Sequence, residues 1–513
     1  MANVEAEENA GKERMTEVST QSDGFNASSS QEKLEASVRS ENASEEPKSN
    51  EVVDWDGPSD PENPMNWRKS RKIITLTVVT LMTILSPIAS TICSSTQSAI
   101  LQYFHSSNEA LGTLVTSIFL LGYTFGPIAV APLSEMYGRN IMYQICLLLF
   151  IVFNVACAFA NSLAMLIVFR LLAGITGSCP VTLGTGTIAD LVLAEKRAGP
   201  MSAYIVGAVI RPSIGPLIGG YLGAAAGWRW NFWLVAIISG TVSVPAILFV
   251  QETYPYVLLQ NRTRRLRKAS GNTNLRSALD TGKTAPQLFR FSIMRPLKML
   301  LSPIVFLLSV YGAVMYSYLY LCFTTFATVF GGIYGFSDGA SGLIPLAFGM
   351  GAVIATFAVG ATTAPLSKRL TRTKGGEARP ECRLPLLIIG GIFPPIGLFW
   401  YGWSAQPHVH WIALILGTAV IGMGFTGTYM PSSMYLVDAY PVYAASVTAS
   451  NTILRSLFGA LLPLAGSAMY NSLGVDWGNS LLAFIAMAFL PLPFFFYKYG
   501  KSMRKTVWLG VEF

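Results

Sequence analysis

The sequence predicts an all-α polytopic membrane protein with twelve transmembrane helices arranged as two six-helix halves. Three observations carry that expectation. Of 513 residues, 52% are hydrophobic and only 12% charged, with a mean hydropathy of +0.46, whereas a soluble domain carries about 25% charged residues. Apolar runs of roughly 20 residues, the length a helix needs to cross ~30 Å of hydrocarbon, recur along the whole chain. The bases between those runs collect on alternate connections, as the positive-inside rule requires. This composition excludes a disordered chain and argues against a soluble multidomain enzyme.

The elements follow in order. Residues 1–66 hold 16 of the 28 acids and 5 of the 36 bases, a net of −11. The segment is rich in Glu, Ser, Asn and Ala, too polar to offset its ordering entropy. Residues 1–72 are therefore expected to be a disordered acidic cytosolic tail, without the basic and apolar pattern of a signal peptide. Six spans centre near 73–95, 111–133, 141–160, 162–188, 201–223 and 231–251, giving an N-terminal half of 73–251. A basic cytosolic loop, 252–300, separates them from spans near 301–325, 339–361, 384–403, 411–432, 444–466 and 479–497. Those six form a C-terminal half of 301–497, followed by a cytosolic tail of 498–513.

The charges fix the orientation. After residue 66 the chain has 31 bases and 12 acids, a net of +19. The expected cytosolic connections carry Arg139, Lys196, Arg197, the run from Arg262 to Lys298, Lys368 to Arg383, and Lys498 to Lys505. The outer connections carry Arg229 alone. Both termini are thus expected in the cytosol, and the basic character reflects an anionic leaflet rather than nucleic acid. Two six-span halves around a central loop suit alternating access with cargo bound at midplane.

Six cysteines lack CxxC or CxxH spacing and read as small core residues. His408 and His410 form an H-x-H pair with no third ligand in reach, so no metal is expected. Three histidines in total are too few for the iron clusters of a membrane desaturase. No G-x-x-x-x-G-K-S/T phosphate loop occurs, and no enzymatic activity is expected.

Specific motifs sharpen this. APLSEMYGRN (Ala131 to Asn140) resembles the loop between helices two and three of the major facilitator superfamily. Glu135, Gly138 and Arg139 match its pattern, whereas Ala131, Met136 and Asn140 depart from it. FRLLAGITGS resembles that superfamily's helix-four motif, with Arg170 in its charged position. GAVIRPSIGPLIGG resembles its antiporter signature. Gly215, Pro216, Gly219 and Gly220 match, Gly207 fits the first glycine, and Arg211 stands where the second is expected. DWDGPSDPENPMNW, GWRWNFW, ETYPYVLLQ, RPECRLP, SMYLVDAYPVYAASVTASN and RSLFGALLPL are similar to the twelve-span fungal drug:proton antiporter branch, from Asp54 to Trp477. The resemblance implies proton-driven efflux of small molecules such as toxins, drugs or secondary metabolites, giving resistance or self-protection. The competing reading is an importer or exchanger of a physiological solute on the same fold.

The spans contain three charges away from their ends: Arg170, Arg211 and Arg455. Each arginine at such depth costs about 2.5–3.5 kcal/mol on insertion scales, so each needs a partner or a wet cavity. With no acid at the centre of any span, neutral or weakly acidic cargo is expected. Arg170, Arg211, Arg455, Tyr316 and Tyr320 are the candidate substrate contacts. Tyr316, Tyr320 and Phe323 share one helical face, for which plain packing is the competing explanation. Arg211 either faces the cavity or bonds backbone carbonyls freed by proline. Glu135, Gly138, Arg139, Asp190, Gly215, Pro216, Gly219, Gly220 and Asp438 are the candidate gating and coupling residues. Glu135 and Asp190 lead as proton carriers, with static gate ion pairs as the alternative. The proton gradient replaces any cofactor. The expected partners are a small-molecule substrate and the bilayer, with no nucleic acid. A monomer in the plasma membrane is expected, with the vacuolar membrane as the alternative location.

Overall fold

The structure, a computed structural model, describes residues 52–505 apart from positions 58, 194–197, 281, 283–284, 374–379, 406–408 and 441–442. Nearly all of it is helix. Six long helices come first: α1 (Lys69–Thr91), α2 (Glu109–Tyr137), α3 (Arg139–Ala158), α4 (Leu163–Leu191), α5 (Ala198–Ala226) and α6 (Arg229–Phe249). Two amphipathic helices, α7 (Pro255–Ser270) and α8 (Ala285–Met299), form the central linker. Then come α9 (Pro303–Tyr334), α10 (Ile344–Thr373), α11 (Leu384–Ser404), α12 (Trp411–Ala439), α13 (Ala444–Leu461), α14 (Gly466–Phe489) and α15 (Pro491–Lys505).

Among the described residues, ten stretches are long and apolar enough to cross a bilayer. One of them, Ser446–Gly500, is 55 residues long and turns at Gly474 (φ 78°), where only glycine is unstrained. It therefore supplies the last two crossings, and α5 completes the twelve. Helix is obligatory here because hydrocarbon offers no partner for a free N–H or C=O. Several helices overrun their expected spans. The seventh extends to Tyr334, where Gly335 in the left-handed conformation (φ 67°) ends it, because backbone bonding persists until a cap interrupts it. The last crossing starts at the Gly474 turn rather than near residue 479.

Helices α1–α6 pack as one half and α9–α14 as the other; the halves meet where α2 contacts α13 and α5 contacts α10. Helix α9 is the most enclosed, with 83% of its apolar window buried, so its aromatic face points into protein rather than lipid. The ends of the helices adjoining the linker form the basic face, and the other ends the opposite face.

One expectation is corrected here. The acidic tail is structured from Val52 onward, so the disorder expected up to residue 72 does not extend that far. Val52–Val53 (β1) pairs in parallel with Arg276–Ser277 (β2) of the linker. Arg262 of α7 pairs with Asp56 and, at 2.7 Å, with Asp60. Asp60 also accepts from the backbone N–H groups of Asp56 and Glu62 at 2.9 and 2.8 Å. Composition alone misses this order because the acids fold against linker bases some 200 positions away. Residues 1–51 and 506–513, and with them most of the N-terminal tail and half of the C-terminal one, lie outside the described residues.

Candidate translocation site and basic-face latch

Midway along the helices, polar and aromatic side chains from both halves converge. The Tyr320 hydroxyl of α9 lies 2.8 Å from Ser90 Oγ of α1, a hydrogen bond between halves. On the N-terminal side, Tyr123 of α2 pairs with Ser86 of α1 at 2.7 Å. Tyr316 sits one turn from Tyr320 with ring centroids 5.3 Å apart, and 6.0 Å from Phe425 of α12. Phe425 in turn stacks on Tyr429 at 5.8 Å with 5° between planes. The Arg455 guanidinium of α13 lies between two of these rings, 4.7 Å from Tyr316 and 4.9 Å from Tyr429. Its buried Nε has no hydrogen-bond partner. Cation–π contact offsets part of the cost of holding this charge away from water, and the orphaned N–H leaves a donor among aromatic faces. Gly459 makes the arrangement fit, since a Cβ there would stand 3.0 Å from the Tyr316 ring. Among the described residues no carboxylate lies at this level.

Tyr316, Tyr320 and Arg455 are thus brought together. The other two arginines are not. Arg170, fully buried, donates from Nε to Val115 O at 2.9 Å, from one terminal nitrogen to Ala89 O at 2.8 Å and from the other to Ser90 O at 2.9 Å. Ala89 and Ser90 lie in the last turn of α1, whose C-terminal carbonyls have no intrahelical donor and carry the negative end of the helix dipole. Arg170 caps that helix end, with each of its three nitrogens donating to a backbone carbonyl, and the structure places it there and not among the rings around Arg455.

Arg211, 2% exposed, donates to Thr83 O at 3.0 Å and to Tyr204 O at 2.9 Å. Pro87 of α1 has no N–H, so the carbonyl four residues earlier, Thr83 O, is left for Arg211. The terminal nitrogens serve the backbone, while the buried Nε, like that of Arg455, has no hydrogen-bond partner.

The glycine–proline run of α5 works through contact. A Cβ on Gly219 would lie 1.8 Å from Ile92 O, and one on Gly215 2.2 Å from Thr91 Oγ1. The Thr91 hydroxyl donates to Pro212 O at 2.8 Å, the carbonyl that Pro216 leaves without its helical donor. On its other side Gly220 approaches the C-terminal half, where a Cβ would come within 2.6 Å of Asp338 O. The side chain region of Gly207 lies outside the described residues.

At the basic face Arg139 pairs with Asp190 through Nε and, at 3.5 Å, through a terminal nitrogen. The Glu252 carboxylate, after α6, accepts from the backbone N–H groups of Arg139 and Asn140 at 3.0 and 3.1 Å. It also accepts from Thr253 and Tyr254 at 3.0 and 2.9 Å. An anion at the first turn of α3 is favoured by the unpaired N–H groups and the dipole there. Gly138 (φ 100°) makes room, for a Cβ would stand 2.2 Å from Glu252 Oε2. Burial, with a smaller contribution from Glu135, pushes the Tyr254 hydroxyl up to about 12, so it remains a neutral neighbour of Arg139. Glu135 itself receives Ser292 Oγ of α8 at 2.9 Å. In the other half Arg383 pairs with Asp438 at 3.0 Å. That pair repeats the Arg139–Asp190 arrangement, joining the start of the third helix of a half to the end of the fourth. Glu252, Tyr429 and Phe425 were not singled out as site residues by sequence; the ETYP motif after the sixth span was the available signal for the first.

Two six-helix membrane bundles that meet at a polar midplane, with ion pairs at one face, have the architecture of a multi-pass transporter. The sequence profile of the Major Facilitator Superfamily matches residues 79–463, and the chain belongs to that family. It is 47% identical over 499 residues to the MFS-type transporter penM of Penicillium rubens, covering 96% of this chain and 98% of that one. It is 45% identical to the MFS-type transporter tndD of Aspergillus flavipes, covering 89% of this chain and 86% of that one. It is also 43% identical to the efflux pump radE of Floropilus chiversii, covering 92% and 88%. The xylose transporter XylE of E. coli, in a partially occluded inward open conformation, shares the fold. Its TM-score is 0.61 at 17% identity, covering 87% of this chain and 100% of that one.

Proposed function

We propose that the protein is a secondary active efflux transporter that exchanges protons for small organic molecules, neutral or weakly acidic and aromatic in character. The observation that carries the cargo class is Arg455. A guanidinium with an unbonded buried Nε lies between Tyr316 and Tyr429 at the junction of the halves, and the described midplane offers no carboxylate to attract a polycation. An aromatic acid or a neutral carbonyl compound would stack on the rings and accept from the guanidinium. Support for export comes from the glycine–proline run of α5, which keeps the antiporter pattern, and from the likeness to an efflux pump.

The basic face and both termini lie in the cytosol in this reading, and the location is the plasma membrane, where export serves resistance or self-protection. The chain works as a monomer on the proton gradient without a cofactor. Arg139, Asp190, Glu252 and Glu135 form the cytosolic latch whose release opens the site inward, and Asp190 and Glu135 are its proton carriers.

The test is transport in inside-out vesicles with an acidic interior, using fluorescent aromatic acids and their esters. Uptake that a protonophore abolishes, and that vesicles lacking the protein do not show, supports export. Accumulation only in right-side-out vesicles makes the protein an importer and overturns the direction.

A further inference from the structure

The end of linker helix α7 has a sequence and a geometry that the transport site does not use. Its last two turns read Arg264-Arg265-Leu266-Arg267-Lys268-Ala269-Ser270. Ser270 is the final helical residue and is exposed. Gly271 follows in the left-handed conformation (φ 69°) and opens an exposed turn through Asn274. The Ser270 hydroxyl donates to Leu266 O at 2.7 Å and accepts the Asn272 N–H at 3.3 Å. Those are local bonds at a helix end, where fraying is least costly.

This turn is tied to the N-terminal strap. Arg267 Nε donates to Leu275 O at 2.7 Å, which sets the chain entering β2. There Ala278 N donates to Val53 O at 2.9 Å, and Val52 and Val53 pair with Arg276 and Ser277. The strap's other attachment, Arg262 with Asp56 and Asp60, is independent of that turn.

We propose that Ser270 is a phosphorylation site for a basophilic serine/threonine kinase, and that its phosphate loosens the β1–β2 end of the strap. Four bases ahead of an accessible serine match the acidic groove such a kinase offers, by plain charge complementarity. The neighbouring Thr263 of the same helix is buried and does not compete. In the reaction Ser270 Oγ attacks the γ-phosphorus of ATP, the bond to the β-phosphate oxygen breaks, ADP leaves and the hydroxyl proton passes to the kinase's base.

Two consequences follow from the product's charge. A phosphate of about −2 at a helix C-terminus opposes the dipole that Arg267 and Lys268 now complement. It also offers Arg267, one turn earlier, a stronger acceptor than the neutral Leu275 carbonyl. Arg267 turns to the phosphate, Leu275 loses its donor, and the strand it positions loses register with Val53. The strap then stays anchored at Arg262 and opens at Val52–Val53. This rests on the proposed orientation only in that cellular ATP must reach the basic face.

The experiment uses the full chain in lipid nanodiscs, with magnesium ATP and the catalytic subunit of a cyclic-nucleotide-dependent protein kinase as probe. Phosphopeptide mapping is combined with hydrogen-exchange mass spectrometry. Phosphate is expected on Ser270 and is absent at that position in Ser270→Ala. Exchange in the peptide containing Ala278 should quicken on the order of tenfold, as loss of one charge-assisted bond implies. Peptides containing the Asp56 and Glu62 amides should keep their rate. In Ser270→Ala, kinase treatment should leave exchange unchanged. Phosphate placed elsewhere with Ser270 untouched overturns the site, and a phosphorylated Ser270 with unaltered Ala278 exchange overturns the coupling. No cargo is involved, so either failure leaves the transport reading standing.

Discussion

Replacing Arg455 with glutamine should separate acidic from neutral cargo. The side chain lies 4.7 and 4.9 Å from the Tyr316 and Tyr429 rings with a buried, unbonded Nε, so a carboxylate entering here gains a charge-assisted bond. Such bonds are worth about 1.5–3 kcal/mol, and each 1.36 kcal/mol is tenfold. The acid should therefore lose on the order of 10–100-fold in apparent affinity. Its methyl ester keeps the rings but not the charge, and should lose only the few-fold that follows from disturbed aromatic packing. The assay is proton-driven uptake of a matched aromatic acid and ester at equal protein density. Arg211→Gln is the control. Its terminal nitrogens serve Thr83 O and Tyr204 O, so acid and ester should suffer alike. Equal losses for acid and ester in Arg455→Gln, or discrimination arising at Arg211 instead, would refute the assignment of the cargo's anion contact.

Three further outcomes are expected. Arg170→Ala strips three buried carbonyl bonds, each costing about 1–3 kcal/mol when left unmade, so the protein should lose thermal stability and accumulate poorly whatever the cargo. Arg170→Lys should rescue little, because one ammonium cannot reproduce a planar fork reaching three carbonyls; normal thermal unfolding with lost transport would contradict this. Gly219→Val drives a side chain into Ile92 O, where even a Cβ would lie at 1.8 Å, and should abolish transport by separating α1 from α5; wild-type flux and melting temperature would sink the idea. The strap should be sensitive to acid. Backbone N–H groups of Asp56 and then Glu62 hold the Asp60 carboxyl below its ordinary 3.8, with Arg262 adding to the effect. A depressed folded pKa means its contribution is complete above about that value and is lost as pH falls through the lower folded one. Hydrogen-exchange protection of the Glu62 amide should be complete from neutrality to pH ~5 and weaken only as the pH falls below the ordinary 3.8, and unaltered protection in Asp60→Asn at neutral pH would remove Asp60 from the anchor.

Much of the architecture was legible without coordinates because the bilayer leaves few solutions. A backbone in hydrocarbon must bond to itself, so twenty apolar residues between polar connections read directly as a crossing. The charge asymmetry likewise marked one set of helix ends, and Arg139, Asp190 and Gly138 meet at that basic face. Glycine spacing on α5 pointed to close contact, and Gly215 and Gly219 make it against α1.

The roles of the buried arginines were a different matter. Arg170, Arg211 and Arg455 look alike in sequence, each a costly cation inside a span. What separates them is the set of neighbours. Arg170 finds carbonyls at the broken end of α1, Arg211 finds one that Pro87 set free, and Arg455 finds the rings of Tyr316 and Tyr429 and the Tyr429 hydroxyl. Glu252 became recognisable only when the chain brought it over the first turn of α3, more than a hundred residues earlier. Asp60 belonged to a tail of disordered composition until Arg262 stood beside it. The sequence by itself determined which segments enter the membrane and on which face the bases gather, because solvation acts on each segment separately. The tertiary structure alone decided which buried polar groups satisfy one another, because hydrogen bonding depends on partners distant in the chain.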